Sequence, residues 1–262
     1  MTKRDMRDMK PGLRVLVTAG AAGIGRAIAE TFADRGAKVF ICDVDDDALA
    51  TMTADRPDIA ATKADVADEA QVDALFDAAQ DALGGLDVLV NNAGIAGPTA
   101  PIHEITPDEW RRTVDVNLNS QYYCLRRAIP LLKQSDDASI IALSSVAGRF
   151  GFALRTPYSA TKWAIVGLTE SLAKELGPDG IRVNCLQPGA VEGPRIERVI
   201  SAKAEATGQS YEDTEAELMS NVSLRRGVSA QDIAEMAAFL CTPMGANITG
   251  QALSVCAGVE TI

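Results

Sequence analysis

The stretch Leu13-Arg14-Val15-Leu16-Val17-Thr18-Ala19-Gly20-Ala21-Ala22-Gly23-Ile24-Gly25 decides the fold. Residues 13–17 are a short apolar run behind Pro11-Gly12, as a buried strand would be. The glycines then open a helical run over 26–35, in which Ala27, Ile28, Ala29 and Phe32 recur periodically. Strand, glycine-rich turn and helix form the first half of a βαβ unit. Glycines at such a turn admit tight backbone angles and let a pyrophosphate approach the positive end of the helix. A plain turn that packs a helix on a strand would use the same residues. The next strand, 37–41, ends on Cys42-Asp43, which puts Asp43 eighteen residues beyond Gly25. A carboxylate at about that spacing accepts the ribose hydroxyls of a dinucleotide. It would repel a 2′-phosphate, and no arginine immediately follows to neutralise one, so NAD is expected over NADP. Asp45, Asp46 and Asp47 read instead as the acidic start of the following helix.

The rest of the chain keeps this alternation. A short strand near 59–63 leads to Asp65-Val66, and an amphipathic helix over 69–83 stops at Gly84-Gly85. Strand 86–90 runs into Asn91-Asn92-Ala93-Gly94, uncharged groups at the end of the sheet where ligands bind, or else an Asx-type turn. Thr106 caps a helix that Pro107 opens and that continues to Ile129. Asn117 and Asn119 interrupt its apolar stripe, so either one is merely exposed or one is holding something. Strand 139–143 ends on Ser144-Ser145, and the helix carrying Tyr158 runs to about Leu176, where Gly177-Pro178 stops it. Strand 181–186 ends in Pro188-Gly189. Residues 191–229 are polar and long for a simple connection, and their helix-like segments 196–206 and 214–221 read as a substrate lid. Ser229 caps a last helix that ends near Leu240, and 248–255 supplies the final strand. The expected architecture is an open, mostly parallel sheet of about seven strands with helices on both faces, one three-layer α/β/α domain over residues 1–262.

Composition bounds the function. A formal net charge of -11 argues against nucleic acid or an anionic membrane as partner, since both would be repelled at long range. Cys42, Cys124, Cys185, Cys241 and Cys256 are odd in number, widely spaced and mostly set in apolar runs. They read as buried thiols in a reducing, cytoplasmic setting. Residues 1–10 are polar and basic, without the apolar core of a secretory signal, and no stretch reads as a membrane span. With one histidine, His103, and no close cysteine pair, a Cys/His metal site is not expected. Chemistry falls to other groups or to a cofactor.

Thr156-Pro157-Tyr158-Ser159-Ala160-Thr161-Lys162 offers such groups. On a helix, Tyr158 and Lys162 share one face with side-chain roots about 5–6 Å apart. A phenol ionises near pH 10 and is a poor base at neutrality, but an adjacent ammonium favours the phenolate. The pair is a proton acceptor made without histidine, or, read plainly, a packed tyrosine beside a solvated lysine.

Taken together and in this order, these pieces resemble the classical short-chain dehydrogenase/reductase family from about residue 13 to 258. The family's glycine signature is matched by residues 18–25, including Gly20, Ala22, Gly23, Ile24 and Gly25. Its adenine-contacting Asp-Val is matched by Asp65-Val66, its Asn-Asn-Ala-Gly by Asn91-Asn92-Ala93-Gly94, and its helix-borne asparagine by Asn117. Its serine is matched by Ser145 and its Tyr-x-x-x-Lys by Tyr158 and Lys162. The resemblance implies a Rossmann-like fold, a homotetramer and NAD as cofactor, with Asp43, Pro188, Gly189 and Val191 among the cofactor contacts. It further implies that Tyr158 exchanges a proton with the substrate oxygen while Ser145 holds that oxygen. Lys162 would grip the nicotinamide ribose and lower the tyrosine's pKa, and Asn117 would join a water relay. The chain departs from the family where a threonine usually stands four residues after Pro188-Gly189: here Gly193 precedes Pro194.

The implied activity is reversible NAD-dependent oxidation of a secondary alcohol to a ketone. The alternatives are reduction of a 3-oxoacyl thioester, which usually goes with NADP, and a non-catalytic dinucleotide-sensing protein. Arg149 and Arg155, between Ser145 and Tyr158, and Arg195 at the start of the lid are candidates to clamp a carboxylate, phosphate or sulfonate. They would otherwise pair with acidic neighbours, leaving Phe150, Phe152 and Leu154 of the same loop to face an apolar substrate.

Overall fold

Seven parallel strands alternate with helices in the computed structural model, which describes residues 8–259. The expectations for residues 1–7 and 260–262 lie outside the described residues. In chain order the elements are β1 (Arg14–Thr18), α1 (Gly23–Asp34), β2 (Lys38–Asp43), α2 (Asp46–Asp55), β3 (Ala60–Lys63), α3 (Glu69–Leu83), β4 (Val88–Asn91) and α4 (Pro107–Val114). They continue with α5 (Ser120–Leu132), β5 (Ser139–Leu143), α6 (Thr156–Leu176), β6 (Arg182–Pro188), α7 (Pro194–Thr207), α8 (Tyr211–Ser220), α9 (Ala230–Leu240) and β7 (Ala252–Val255).

The strands lie in the order β3-β2-β1-β4-β5-β6-β7, and every pairing is parallel. The chain therefore builds outward from β1 to one edge, returns, and builds to the other. The reversal falls between β1 and β4, where Val15 pairs with Val88 and Val17 with Val90. At such a switch point the connections leave the strands' carboxyl ends in opposite directions and open a crevice.

Alternate residues of each strand feed two cores. Val15, Val17, Val39, Ile41, Val88 and Val90 pack with Ile28 and Phe32 of α1 and with Ile233, Ala237 and Leu240 of α9. Leu16, Phe40 and Leu89 pack on the other face with Phe76 of α3, Leu125 and Leu132 of α5, and Leu172 and Leu176 of α6. Phe32 and Phe76 are among the largest fully buried side chains, and burying one such side chain contributes about 1.5–3 kcal/mol.

Helix boundaries follow local chemistry. Asp45 caps α2 as its sequence suggests, accepting from the amides of Asp47 and Ala48, and Asp68 caps α3 in the same way. Thr106 with Glu109, and Ser229 with Asp232, form reciprocal capping boxes on α4 and α9. Several expected boundaries shift by one to three residues, the helix expected over 214–221 being Tyr211–Ser220 and the strand expected over 86–90 being Val88–Asn91. The first helix begins at Gly23, before residue 26; the final strand covers only residues 252–255; and the long helix expected from Pro107 to Ile129 is broken by a π-helical turn at Asp115–Asn119.

Below the sheet, opposite the crevice, Arg14 ties the start of β1 to the entry of β4. Its Nε and Nη2 donate to Asp87 at 2.8 and 2.7 Å, its own amide donates to Asp87 at 2.8 Å, and Ser135 Oγ adds a further bond at 2.6 Å. Burial alone would raise the Asp87 carboxyl, but Arg14 and Ser135 hold it down at about 2. Because its folded value lies below the unfolded one, this stabilisation is present above about pH 4 and is lost as pH falls towards 2; it is worth about 2 kcal/mol. Urea titrations of the wild type and Asp87→Asn between pH 6 and 2.5 should show the wild type losing its advantage across that window. Parallel curves for the two proteins would remove Asp87 from the acid response.

Candidate active site

The crevice is laced shut at its base by two residues. Thr18 Oγ1, at the end of β1, accepts from the amides of Asn92 and Ala93 at 3.0 Å each, and Asn92 Nδ2 donates back to the carbonyls of Thr18 and Ala19 at 2.9 Å. Gly25 sits under this lacing, where a Cβ would overlap the Ala19 carbonyl and fall 2.5 Å from Asn92 Nδ2. Ala22, at the cap position of α1, offers no side-chain cap, and the first turn contains no acidic residue. The first-turn amides of α1, among Gly23, Ile24 and Gly25, therefore face the crevice end of the helix without the side-chain partners that α2, α3, α4 and α9 possess. This suits an incoming phosphate. Asp43 ends β2 beside the same turn, its Oδ2 accepting from the Ala21 amide at 3.1 Å and its Oδ1 from Val44 at 2.8 Å. Gly20, Ala22, Gly23, Ile24, Gly25 and Asp43 thus line one cradle whose donors and acceptors fit a dinucleotide's pyrophosphate and ribose.

Asn117 occupies the π-helical turn and is wholly buried. The Ser120 amide there reaches back five residues to the Asp115 carbonyl, the signature of an inserted residue. The Asn117 side chain binds the loop after β4: Oδ1 accepts from the Ile95 amide at 2.8 Å, and Nδ2 donates to the Ile95 carbonyl at 3.1 Å. Nδ2 also donates to Thr161 Oγ1 at 3.2 Å, and Thr161 Oγ1 in turn donates to the Tyr158 carbonyl at 2.8 Å. One side chain therefore sets the Gly94–Ala96 loop against the first turns of α6.

On α6, Lys162 is buried and its Nζ donates to the Leu143 carbonyl at the end of β5, 2.6 Å away. Its Nζ lies 5.6 Å from the centre of the Tyr158 ring. Ser145 follows β5, and its Oγ accepts from the Ala147 amide at 3.1 Å. Burial pushes the Tyr158 phenol up, yet Lys162, Arg195, a hydrogen bond with Ser145 and Arg155 together bring it below its ordinary value. Burial likewise pushes Lys162 down, to about 8, against the attraction of Tyr158. The cluster is a phenol surrounded by cations and one hydroxyl, poised to give or take a proton.

Asn117, Ser145 and the Tyr158–Lys162 pair, from three separate parts of the chain, are brought together. Pro188 and Gly189 close β6 beside them, with the Gly189 amide bonded to the Val255 carbonyl at 3.0 Å. Val191 pairs with Val228 in an isolated parallel bridge that ties the two ends of residues 191–228. Asp65 is engaged at the rim, accepting from Arg112 at 3.0 Å and from the Ala67 amide at 2.9 Å, while Val66 is buried under it. Gly193 has φ +124°, a region that residues with a side chain rarely adopt, so the family's threonine would be strained in this backbone conformation. The sequence reading missed how close Arg155 lies to Tyr158: its Cζ is 4.9 Å from the ring centre. The signal was available, since the two residues stand three apart at a helix start.

The chain is similar to known proteins over nearly all of its length. The sequence model of the family described as Enoyl-(Acyl carrier protein) reductase matches residues 19–260. The chain is 37% identical over 245 residues, 93% of its length and 95% of the relative's, to a galactitol 2-dehydrogenase of Agrobacterium fabrum. It is 34% identical over 251 residues, 94% and 96% of the two lengths, to a cis-4-hydroxycyclohexanecarboxylate dehydrogenase of Sinomonas cyclohexanicum. Among solved structures it is similar to a single-site variant of actinorhodin polyketide ketoreductase with NADPH, at TM-score 0.91 and 30% identity over 96% of this chain and 98% of that one. It is also similar to a 3-ketoacyl-(acyl-carrier-protein) reductase from Brucella melitensis complexed with NADH, at TM-score 0.85 and 33% identity over 95% and 99%.

Asn117→Ala would strip both backbone groups of Ile95 of their partner. The expected cost is about 2–3 kcal/mol in stability, with faster amide exchange at Ile95. Unchanged melting and unchanged protection at Ile95 would show that the loop is held by something else.

Proposed function

The chain belongs to the short-chain dehydrogenase/reductase family, and from that premise we propose that it moves hydride between NAD and a secondary alcohol or its ketone, with Tyr158 as the proton-exchanging group. Its activity as an NAD(P)-dependent oxidoreductase on an alcohol or ketone follows from family membership. The choice of NAD, the direction and the residue roles are the proposal. One observation carries it: the buried Lys162, fixed by the Leu143 carbonyl, has its Nζ 5.6 Å from the centre of the Tyr158 ring, with the Arg155 Cζ 4.9 Å from the same ring, a setting that favours the phenolate despite burial.

When bound, the nicotinamide supplies the hydride acceptor or donor. The chain's own residues handle position and proton. In oxidation the substrate hydroxyl proton passes to the Tyr158 oxygen, and Ser145 holds the substrate oxygen as it becomes a carbonyl; reduction runs the same path backwards. Lys162, fixed by the Leu143 carbonyl, stabilises the phenolate and would grip the nicotinamide ribose. Asn117 positions the Ile95 loop and α6. Asp43, Asn92, Ala93, Gly94, Pro188, Gly189 and Val191, with the α1 turn and Asp65-Val66, make up the cofactor side. Asp43 favours NAD, since it would repel a 2′-phosphate and the α1 turn carries no cation at Ala21 or Ala22 to neutralise one. A homotetramer is part of this reading, supported by the exposed Trp110, Tyr122 and Trp163 on α4, α5 and α6. So is a reducing, cytoplasmic setting, supported by five buried cysteines.

Reduction of a 3-oxoacyl thioester is the second reading, and the comparisons lean towards it: both ketoreductase structures name polyketide or 3-ketoacyl substrates, and the family description names an acyl-carrier-protein substrate, though an enoyl one. The two dehydrogenases, one with a hydroxylated carboxylate in its name, support the first. Following NADH and NADPH at 340 nm with a 3-oxoacyl thioester beside a panel of secondary alcohols separates the two.

Tyr158→Phe should lower turnover by about 10²–10⁴-fold while leaving NAD affinity within about threefold; equal turnover would end the mechanism. For the wild type, kcat/KM for oxidation should rise with pH as Tyr158 ionises and level off below its ordinary value of about 10. Lys162→Met should move that plateau upward. Asp43→Ala should narrow the preference for NAD over NADP, and an unchanged ratio of the two kcat/KM values would take Asp43 away from the ribose.

A further inference from the structure

Two guanidiniums converge on one short piece of backbone beside Tyr158. Arg195 Nη1 donates to the Gly94 carbonyl at 3.0 Å and Arg155 Nη2 donates to the Ala96 carbonyl at 3.0 Å. Each spends one of its five donors in this way. Arg155 Nε is enclosed and has no acceptor among the described residues. Arg198, three residues beyond Arg195 on α7, joins Arg195, Val199 and Ala202 in lining a cleft of about 380 Å³ whose other wall is Gly94–Gly97 and Thr99; Arg155 stands outside that lining, bonded to the same wall through the Ala96 carbonyl.

In a chain of net charge -11, arginines have carboxylates to hand, and Arg14, Arg26, Arg56, Arg112, Arg126 and Arg127 all use them. Among the described residues no carboxylate lies within ion-pair distance of Arg155, Arg195 or Arg198. Like charges brought together repel, and the group that faces them is the Tyr158 phenol, which can offset one positive charge when ionised but not the whole cluster. The repulsion registers on Arg155 itself, which burial and the neighbouring Arg195 bring below the usual arginine value.

We propose that this cleft selects an anionic substrate: a small secondary alcohol or ketone carrying a carboxylate, sulfonate or phosphate a few bonds from the reacting carbon, its oxyanion held between Arg155 and Arg195. The placement sets the distance, because the Arg155 Cζ is 4.9 Å from the Tyr158 ring. A thioester substrate carries its phosphate far along the pantetheine arm and would leave these two guanidiniums unmatched. The inference rests on the oxidoreductase reading above and names its substrate class.

The test pairs anionic alcohols with neutral partners: 4-hydroxycyclohexanecarboxylate with its methyl ester, glycerol 3-phosphate with glycerol, and 2-hydroxypropanesulfonate with 2-propanol. For at least one pair the wild type should favour the anion in kcat/KM by about tenfold or more, and Arg195→Gln and Arg155→Gln should each cut that anion-to-neutral ratio by about 10–100-fold, with Arg155→Lys intermediate. Arg195 is exposed, so its variant guards against loss of folding. Neutral partners turned over as well as anions in every pair would overturn this inference and leave the oxidoreductase reading standing. A fall in NAD affinity that matches the fall in the ratio would overturn it too, by giving the arginines to the cofactor. If no alcohol, ketone or thioester turns over, the oxidoreductase reading fails, and calorimetry decides the cleft alone. Cyclohexanecarboxylate should then bind the NAD-loaded protein more tightly than its carboxamide, with the difference abolished in Arg195→Gln; equal binding of the two would sink it.

Discussion

A buried ammonium governs this site. Lys162 is almost fully enclosed, and an isolated charge there would be costly to desolvate. What offsets that cost is specific: the Leu143 carbonyl 2.6 Å away and the facing Tyr158 phenol. The same arrangement has two effects that cannot be separated. It lowers Lys162 through burial, and it lowers Tyr158 through the charge that remains. The carbonyl belongs to the end of β5, so the proton chemistry is anchored to the sheet rather than to a loop. Ser144, next along, donates to the Lys162 carbonyl at 2.8 Å and fixes α6 from the other side.

Around that anchor the elements are joined by side chains acting on backbone. Thr18 and Asn92 lace β1 to the end of β4, Asn117 holds the loop that follows, and Thr161 passes the connection to α6. Each link replaces a missing main-chain partner at a place where regular structure has ended, which is where a crevice needs its walls set. The π-helical turn belongs to this scheme. By inserting one residue it takes Asn117 out of the ordinary helical register, so a polar side chain can occupy a wholly buried position with its donors and acceptor all engaged.

Much of this was legible in the sequence, for identifiable reasons. Strand alternation, the glycine-rich turn and the capping residues Asp45, Thr106 and Ser229 are local signals, and the structure follows them closely. Asn117 announced itself as a polar interruption of an apolar stripe, though the register change that accommodates it did not, because π-helical turns have no sequence signature of their own. The contacts of Arg155 and Arg195 with Gly94 and Ala96 span 59 and 101 residues. No periodicity encodes such a distance. Arg149, close to Arg155 in the chain, is exposed with its guanidinium over the Phe150 ring. At Gly193 the sequence shows only a missing side chain, whereas the structure shows a backbone conformation that disfavours one.

The strand order also bears on how the molecule comes into being. β1 pairs on one side with β2, which follows it directly, and on the other with β4, whose residues lie more than seventy positions later. The crevice between β1 and β4 therefore does not exist as a place until Asn92 has been synthesised and has left the ribosome. The anchoring carbonyl of Leu143 and the Tyr158–Lys162 turn are added later still. During translation at about 5–20 residues per second, the nascent chain holds the cofactor cradle as an open half-sheet for several seconds, with one edge of β1 unpaired. Its apolar strand faces must wait for distant sequence before they are covered, the situation in which slow parallel pairing leaves a chain most exposed to association with others.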